Sequence, residues 1–362
     1  MELSEIKEMI GQYGELQKKI IAEKPDLKPD EIAKQYNPGD HDVHDKAKRL
    51  DKPIETDNGP SVVKVNRIAI PMQKKIVRLA AAFLCGNPIL LDATPKDRTE
   101  ESVLLLLQKI WEDNKLNYES KALAKLMMSE TECAELWYTE KTESDYWADT
   151  PNAGKALKFR MKTLAHSLGD TLVPVFNSFG DMVAFGRGYK IRIGERYVER
   201  FDLYTQETTY LGKKDQGEWE VKAEKSVIGE IPVIYYRQDR VEWADVQDEI
   251  NRLEIVISNH GDTNDYFGSP TYFVEGEIEG FAKKGETGKV IRGSNGAKIT
   301  VLSWDQSPES VKLEMDNLRS LILDMTDTPD ISLEQMKSLG TYSGIALKML
   351  FLGAHLKAAD KE

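Results

Sequence analysis

Between Trp243 and Leu356 two stretches of matched apolar rhythm enclose a Gly-rich insert, and a polar loop then leads toward a third helical segment. The first stretch reads VEWADVQDEINRLEIVISNH. Its residues Trp243, Val246, Ile250, Leu253, Ile257 and His260 recur at alternating intervals of three and four, which predicts a helix with one narrow apolar stripe. The second reads SPESVKLEMDNLRSLILDMTDTPD, where Val311, Met315, Leu318, Ile322 and Met325 repeat the pattern. Ser307 is placed to cap it, Pro308 suits the first helical position, and the run from Asp327 to Asp330 with Pro329 stops it. At about 1.5 Å per residue the first helix extends roughly 35 Å. A stripe this narrow covers one neighbour and leaves the flanks wet. It suits a part repeated around an axis, and periodicity alone fits a helical hairpin in a monomer as well.

The amino-terminal part has the same helical period. An amphipathic opening from Leu3 to Ala33 is interrupted by EKPDLKPDE, where Pro29 followed by Asp30 and Glu31 marks a new helix start. Residues Asn37 to Pro60 are polar and rich in Asp, Gly and Pro, and read as a loop. In VNRIAIPMQKKIVRLAAAFLCGNPILL, Met72, Ile76, Leu79 and Phe83 form one helical face, and Gly86 with Pro88 ends it. Further helices run from about Glu100 to Glu112 and from Tyr118 to Glu130. After Ala134 the period changes to two. ELWYTEK, KALKFRMKTLA, LVPVFN, MVAFGRGYKIRI, RYVERFDLYTQETTYLG, EWEVKAEK and IPVIYYRQ predict an antiparallel meander, with Pro232 at a strand start. In the insert, Tyr272 to Val274, Val290 to Arg292 and Ile299 to Trp304 predict short strands with glycine turns. The fold class is therefore α+β, in two or three folding units.

Charge narrows the function. Lys and Arg number 49 against 61 Asp and Glu, a formal balance of −12. A protein that grips DNA by neutralising phosphates is ordinarily basic, so tight DNA binding is disfavoured; an acidic surface suits a conduit through which DNA slides. No run reaches the roughly 20 apolar residues of a membrane span. Cys85 and Cys133 lack metal-type spacing. KKGETGK at 283 to 289 misses the first Gly and the final Ser or Thr of a phosphate loop, and Gly186 and Gly188 in FGRGYK lack a third glycine and read as turn residues. His41 and His44 among Asp40, Asp42 and Asp45 offer metal-ligating atoms, but no second cluster accompanies them. No catalytic triad, cofactor site or metal site is indicated, and the chain reads as a non-enzyme.

Two separated segments carry a resemblance. Asn66, Arg67, Ile68, Phe83, Leu84, Gly86, Pro88 and Ile89 are similar to a characteristic segment of portal proteins from long-tailed double-stranded-DNA bacteriophages. Thr328, Pro329, Asp330, Ser343, Gly344, Ile345, Ala346, Leu347 and Lys348 resemble the same family's passage from a stem helix through a tunnel loop. The resemblance implies a portal architecture: a helical wing part over 1–130 and an antiparallel β wing part over 131–238. A first stem helix follows over 239–267, a small α/β clip over 268–306 and a second stem helix over 307–327. A tunnel loop over 328–342 and the start of a long wing helix over 343–362 complete it. Family members continue beyond such a point, so the resemblance implies a shortened chain.

The implied role is structural. The subunit forms a homo-oligomeric ring, a dodecamer at full length, at the portal vertex of the capsid, after assembly in the bacterial cytoplasm. Terminase docks on it during packaging, and head-completion proteins later; capsid or scaffolding proteins surround it, and duplex DNA makes weak, non-specific contacts. Asp330, Glu334, Lys337 and Gly340 belong to the implied tunnel loop. Arg252, Lys312 and Arg319 are candidates to face DNA or a neighbouring subunit. Trp243, Val246, Ile250, Leu253, Val311, Met315, Leu318 and Ile322 are the implied stem-packing residues. A nucleic-acid-associated enzyme and a scaffold or adaptor without a channel remain the alternatives.

Overall fold

The computed structural model describes residues 1–56, 59–143, 145–148, 150, 152–267, 271–275, 278–280, 292–293, 298–302, 308–331 and 348–361. The chain divides into two compact units. One comprises Met1–Asn37, Pro71–Asp245 and Met325–Glu362, and the other Pro38–Ile70 and Val246–Asp324.

The first unit opens with helices α1 (Leu3–Met9), α2 (Tyr13–Glu23) and α3 (Pro29–Tyr36). Pro29 stands at the amino end of α3 with Asp30 and Glu31 in its first turn, where carboxylates meet the positive end of the helix dipole. Helices α4 (Met72–Cys85), α5 (Arg98–Asp113) and α6 (Leu116–Glu130) follow. Asp97 caps α5 by accepting from the Thr99 and Glu100 amides at 2.8 and 2.9 Å.

The change of period after Ala134 becomes two antiparallel sheets. Strands β3 (Glu132–Lys141), β4 (Leu157–Leu164) and β10 (Val233–Arg237) pair in the order β10-β3-β4. The second sheet is a five-stranded meander: β5 (Thr171–Phe176), β6 (Met182–Ile193), β7 (Arg196–Tyr204), β8 (Thr208–Asp215) and β9 (Glu218–Lys225). One face of it packs on α1 and α2 through Ile6, Tyr13, Leu16, Ile20, Val173, Phe201 and Leu203. The other contributes Leu172, Phe185 and Tyr204 to a core shared with Ala134, Leu136, Leu164 and Val233 of the smaller sheet. Pro232 sits just ahead of β10, and its carbonyl accepts from Trp137 N–H at 2.8 Å.

Two sequence readings need correction. Gly186 and Gly188 are not turn residues; both lie within β6. A Cβ on Gly186 would fall 2.6 Å from Phe201 Cζ, so the missing side chain makes room for a buried ring. The stretch from Asn37 to Pro60 is not wholly loop. It holds two 3-10 turns, Pro38–Asp40 and Asp42–His44, and the start of a hairpin of β1 (Lys52–Thr56) and β2 (Gly59–Val63).

In the second unit that hairpin accompanies α7 (Gln247–Phe267) and α8 (Pro308–Met325). Of the insert, β11 (Thr271–Glu275) pairs with β14 (Lys298–Leu302), and β12 (Ile278–Gly280) with β13 (Arg292–Gly293). The chain returns to the first unit through Met325 and ends in α9 (Leu352–Ala359), which packs on α4. No helix among the described residues is long and apolar enough to cross a membrane.

Candidate functional site

Helix α7 starts at Gln247, one 3-10 turn after Ala244, and its 21 residues span about 30 Å. Val246, Ile250 and Leu253 are buried as the stripe requires, with Val256 beside them. Trp243 lies ahead of the helix in the first unit. It stacks on Tyr36 at 5.4 Å and donates from Nε1 to Gln35 Oε1 at 3.0 Å. On α8, Ile322 and Leu323 are fully enclosed, whereas Val311, Met315 and Leu318 are half-buried. Leu313 and Met325 stand 62% and 63% exposed, so this helix carries apolar surface that no other described residue covers.

A second stripe on α7 is polar. Glu254, Ser258, Asp262 and Asp265 recur at intervals of four, four and three, and each binds the irregular segment Asn66 to Ile70 that follows β2. Glu254 Oε1 accepts from Ile70 N–H at 2.7 Å, and His41 Nδ1 lies 2.6 Å from the same oxygen. Ser258 Oγ accepts from Ile68 N–H at 2.9 Å. Asp262 takes the Asn66 amide on Oδ1 at 2.6 Å and Arg49 Nη2 on Oδ2 at 2.8 Å; Asp265 accepts from the Asn66 side chain at 2.6 Å. Arg49 also reaches Asn259 and the Asn66 carbonyl, both at 2.8 Å. Arg67 turns away and holds Asp51 at 2.8 Å. The Val65 amide first, and then the Arg67 guanidinium, keep the Asp51 carboxyl below its usual range.

This stitching needs close approach. A Cβ on Gly261 would lie 3.2 Å from Asn66 Nδ2, tighter than ordinary contact. His41 and Glu254 are nearly inaccessible, so the pair is an internal brace; His41 serves this helix. The signal missed in the sequence is the regular spacing of Glu254, Ser258, Asp262 and Asp265.

The remaining candidates fall as follows. Arg252 is exposed and holds Glu314 through Nε at 2.9 Å and Nη2 at 2.7 Å, tying α7 to α8 within one chain. Lys312 is exposed and Arg319 half-buried. Asp330 lies 3.8 Å from Lys75 Nζ on α4. Glu334, Lys337 and Gly340 lie outside the described residues.

Where α8 stops, Asp327 takes a left-handed φ of 49° and Pro329 follows, the helix termination that the sequence announces. Thr326 and Thr328 are buried with their hydroxyls 2.8 Å apart, and Lys357 Nζ donates to the Thr326 carbonyl at 2.9 Å. Nearby, Lys357 and Lys361 each lie 2.6 Å from a carboxylate oxygen of Glu242. Burial works to raise that carboxyl, but the two ammonium groups outweigh it and hold Glu242 below its ordinary value. Phe83 of α4 meets Phe351 and His355 at 5.8 and 5.1 Å. Helix α4 thus meets Asp330, Phe351 and His355, residues distant from it in sequence.

Compared with known families, residues 17–362 match the family described as phage portal protein, SPP1 Gp6-like. The chain belongs to the phage portal protein family. Membership gives it a structural role in the phage particle, and its helices and antiparallel sheets are consistent with a portal fold. A search of curated proteins returns no match. Among the described residues of this portal protein, no group of three or more His, Cys, Asp and Glu side chains gathers as a metal would require. Cys133 is buried and donates to the Leu123 carbonyl; burial, then Glu130, push its thiol up to about 12, which makes it a packing residue.

Proposed function

We propose that this chain is the repeated subunit of a ring at the unique capsid vertex, and that α7 and α8 are its stem, bordering a channel for duplex DNA. The family match along most of the chain carries this reading, since it includes both helices and the β insert between them. The insert over 268–306 is the clip that docks the packaging terminase, and later head-completion proteins. Residues 1–238 form the wing, which meets capsid or scaffolding proteins, and 328–342 form the tunnel loop before the wing helix of 343–362.

Two further observations support a ring. Exposed apolar side chains on α8, and Val103, Leu105 and Leu107 on α5, are surface that a neighbouring copy would cover. The balance of −12 favours passage of DNA over grip. Conduction is passive, with no bond made or broken, and the force comes from a separate motor. Lys312 and Arg319 contribute at most weak phosphate contacts, and Arg252 serves to hold Glu314.

The loop assignment is tested by shortening Ser332–Leu339 in the phage. The wing folds normally, while packaging or genome retention falls. Normal packaging with full retention contradicts the assignment.

A further inference from the structure

The core between the two sheets of the first unit becomes polar at one end. Beyond Phe185, the same face of β6 carries Arg187 and Tyr189, whose register partners on β7 are Asp202 and Arg200. Arg187 is committed to Asp170: Nε and Nη2 each lie 2.7 Å from Oδ1, with both side chains almost wholly enclosed. Its guanidinium also covers the Tyr189 ring at 4.0 Å, and the Tyr189 hydroxyl donates to Asp202 at 2.9 Å.

Two further cations make no short ion pair, although Arg200 feels the charge of Asp202 and Lys162 that of Asp170. Arg200 has a buried Nε with no hydrogen-bond partner, and neither Arg200 nor Lys162 forms an ion pair among the described residues. With Asp170, Arg187 and Tyr189 they line an open cleft of about 650 Å³. Lys190 also lines it, and Glu199, the other carboxylate at its wall, is held by Lys214 at 2.9 Å. The cleft therefore carries surplus positive charge in a chain that is strongly negative. Burial, and then the charge of Arg187, lower the proton affinity of Lys162, a strain that an incoming anion would relieve.

We propose that this cleft is a docking site for an acidic segment of a partner protein, whose carboxylates pair with Lys162 and Arg200. The volume is that of a site for a ligand of some size, about 300–1,000 Å³, more than a single inorganic ion fills. A rigid DNA duplex presents its phosphates on a convex cylinder, and the concave wall keeps them from the buried Arg200 Nε. A flexible peptide reaches it. The inference does not depend on the channel reading.

The test is fluorescence anisotropy on the full chain with a short labelled peptide alternating glutamate with leucine and phenylalanine. Its glutamine counterpart and inorganic phosphate serve as comparisons. The acidic peptide binds, the glutamine peptide does not, and salt weakens the binding. Lys162→Gln and Arg200→Gln each weaken it about tenfold, while Lys225→Gln on β9 leaves it unchanged. Circular dichroism melts show whether each variant folds, and the exposed Lys162 keeps the test valid if Arg200→Gln does not. Absence of peptide binding, equal binding by the Lys162 variant, or full displacement by phosphate overturns the proposal. So does a self-association without peptide that these variants abolish, because the occupant is then another copy of the chain.

Discussion

The five-stranded sheet and helix α7 are held by opposite means. The sheet is held by apolar clusters on both faces, one of which turns polar at Arg187, and Tyr13 and Phe201 fill space that Gly212 and Gly186 vacate. Tyr13 adds only its hydroxyl, which donates to the Phe201 carbonyl at 2.8 Å. Helix α7 buries a single apolar stripe and fixes its adjoining polar face by charge-assisted hydrogen bonds to Asn66, Arg49 and His41. Apolar packing is tolerant of direction, whereas a ladder of directed bonds sets the rotation and register of a rod. A helix that must present one chosen face repeatedly around an axis is better served by the second device.

The contrast predicts a graded set of responses. Phe201→Ala removes the ring at the centre of the sheet and is expected to cost about 3–5 kcal/mol, measured by urea unfolding. A loss below about 1 kcal/mol would mean that the sheet core relaxes freely. Glu254→Ala strips the shared acceptor from His41 and the Ile70 amide and is expected to cost about 1–3 kcal/mol. The same change in a His41→Ala background should cost less. If the two effects simply add, the pair is not a coupled brace.

Acid supplies a third probe. The Glu242 carboxyl is depressed below its ordinary value of 4.5 by Lys357 and Lys361, against the opposing effect of burial. Its stabilising contribution is therefore complete above that ordinary value and disappears as pH falls through the lower folded-state value. Glu242→Gln should be less stable at neutral pH and show a flatter acid limb in a pH series of melts. An unchanged acid limb would remove the linkage. Gly261→Ala is the smallest effect. Helix propensity gains up to about 1 kcal/mol, and crowding of Asn66 offsets it. The net change stays within about 1 kcal/mol, and a clear stabilisation would show that Asn66 can shift without loss.

These differences explain what the sequence disclosed. The apolar stripe marked Val246, Ile250, Leu253 and Ile322 because helical period is a local signal, although Met325 on the same period is exposed and Val256 and Leu323 off it are buried. The stop after Met325, the start at Pro29 and most strands from β3 to β10 were legible for the same local reason, but RYVERFDLYTQETTYLG divides into β7 and β8, and the expected single meander is two sheets. The polar stripe was not legible, because Glu254 or Asp262 on a helix reads as solvated until its partner is known. Those partners lie far away in sequence, between His41 and Ile70. Gly186 misled because a glycine in a strand resembles one in a turn until the opposing Phe201 is placed. Val311, Met315 and Leu318 follow the same period yet are only half-buried among the described residues, and the proposed stem would cover them with neighbouring subunits.

The central claim is that α7 and α8 surround an opening in a ring of identical subunits. Cryo-electron microscopy of the portal vertex in assembled particles tests it most directly. The account predicts a closed ring of this chain with α7 and α8 innermost along a passage wide enough for duplex DNA. A solitary chain at that vertex, or a ring with both helices on its outer surface, would contradict it.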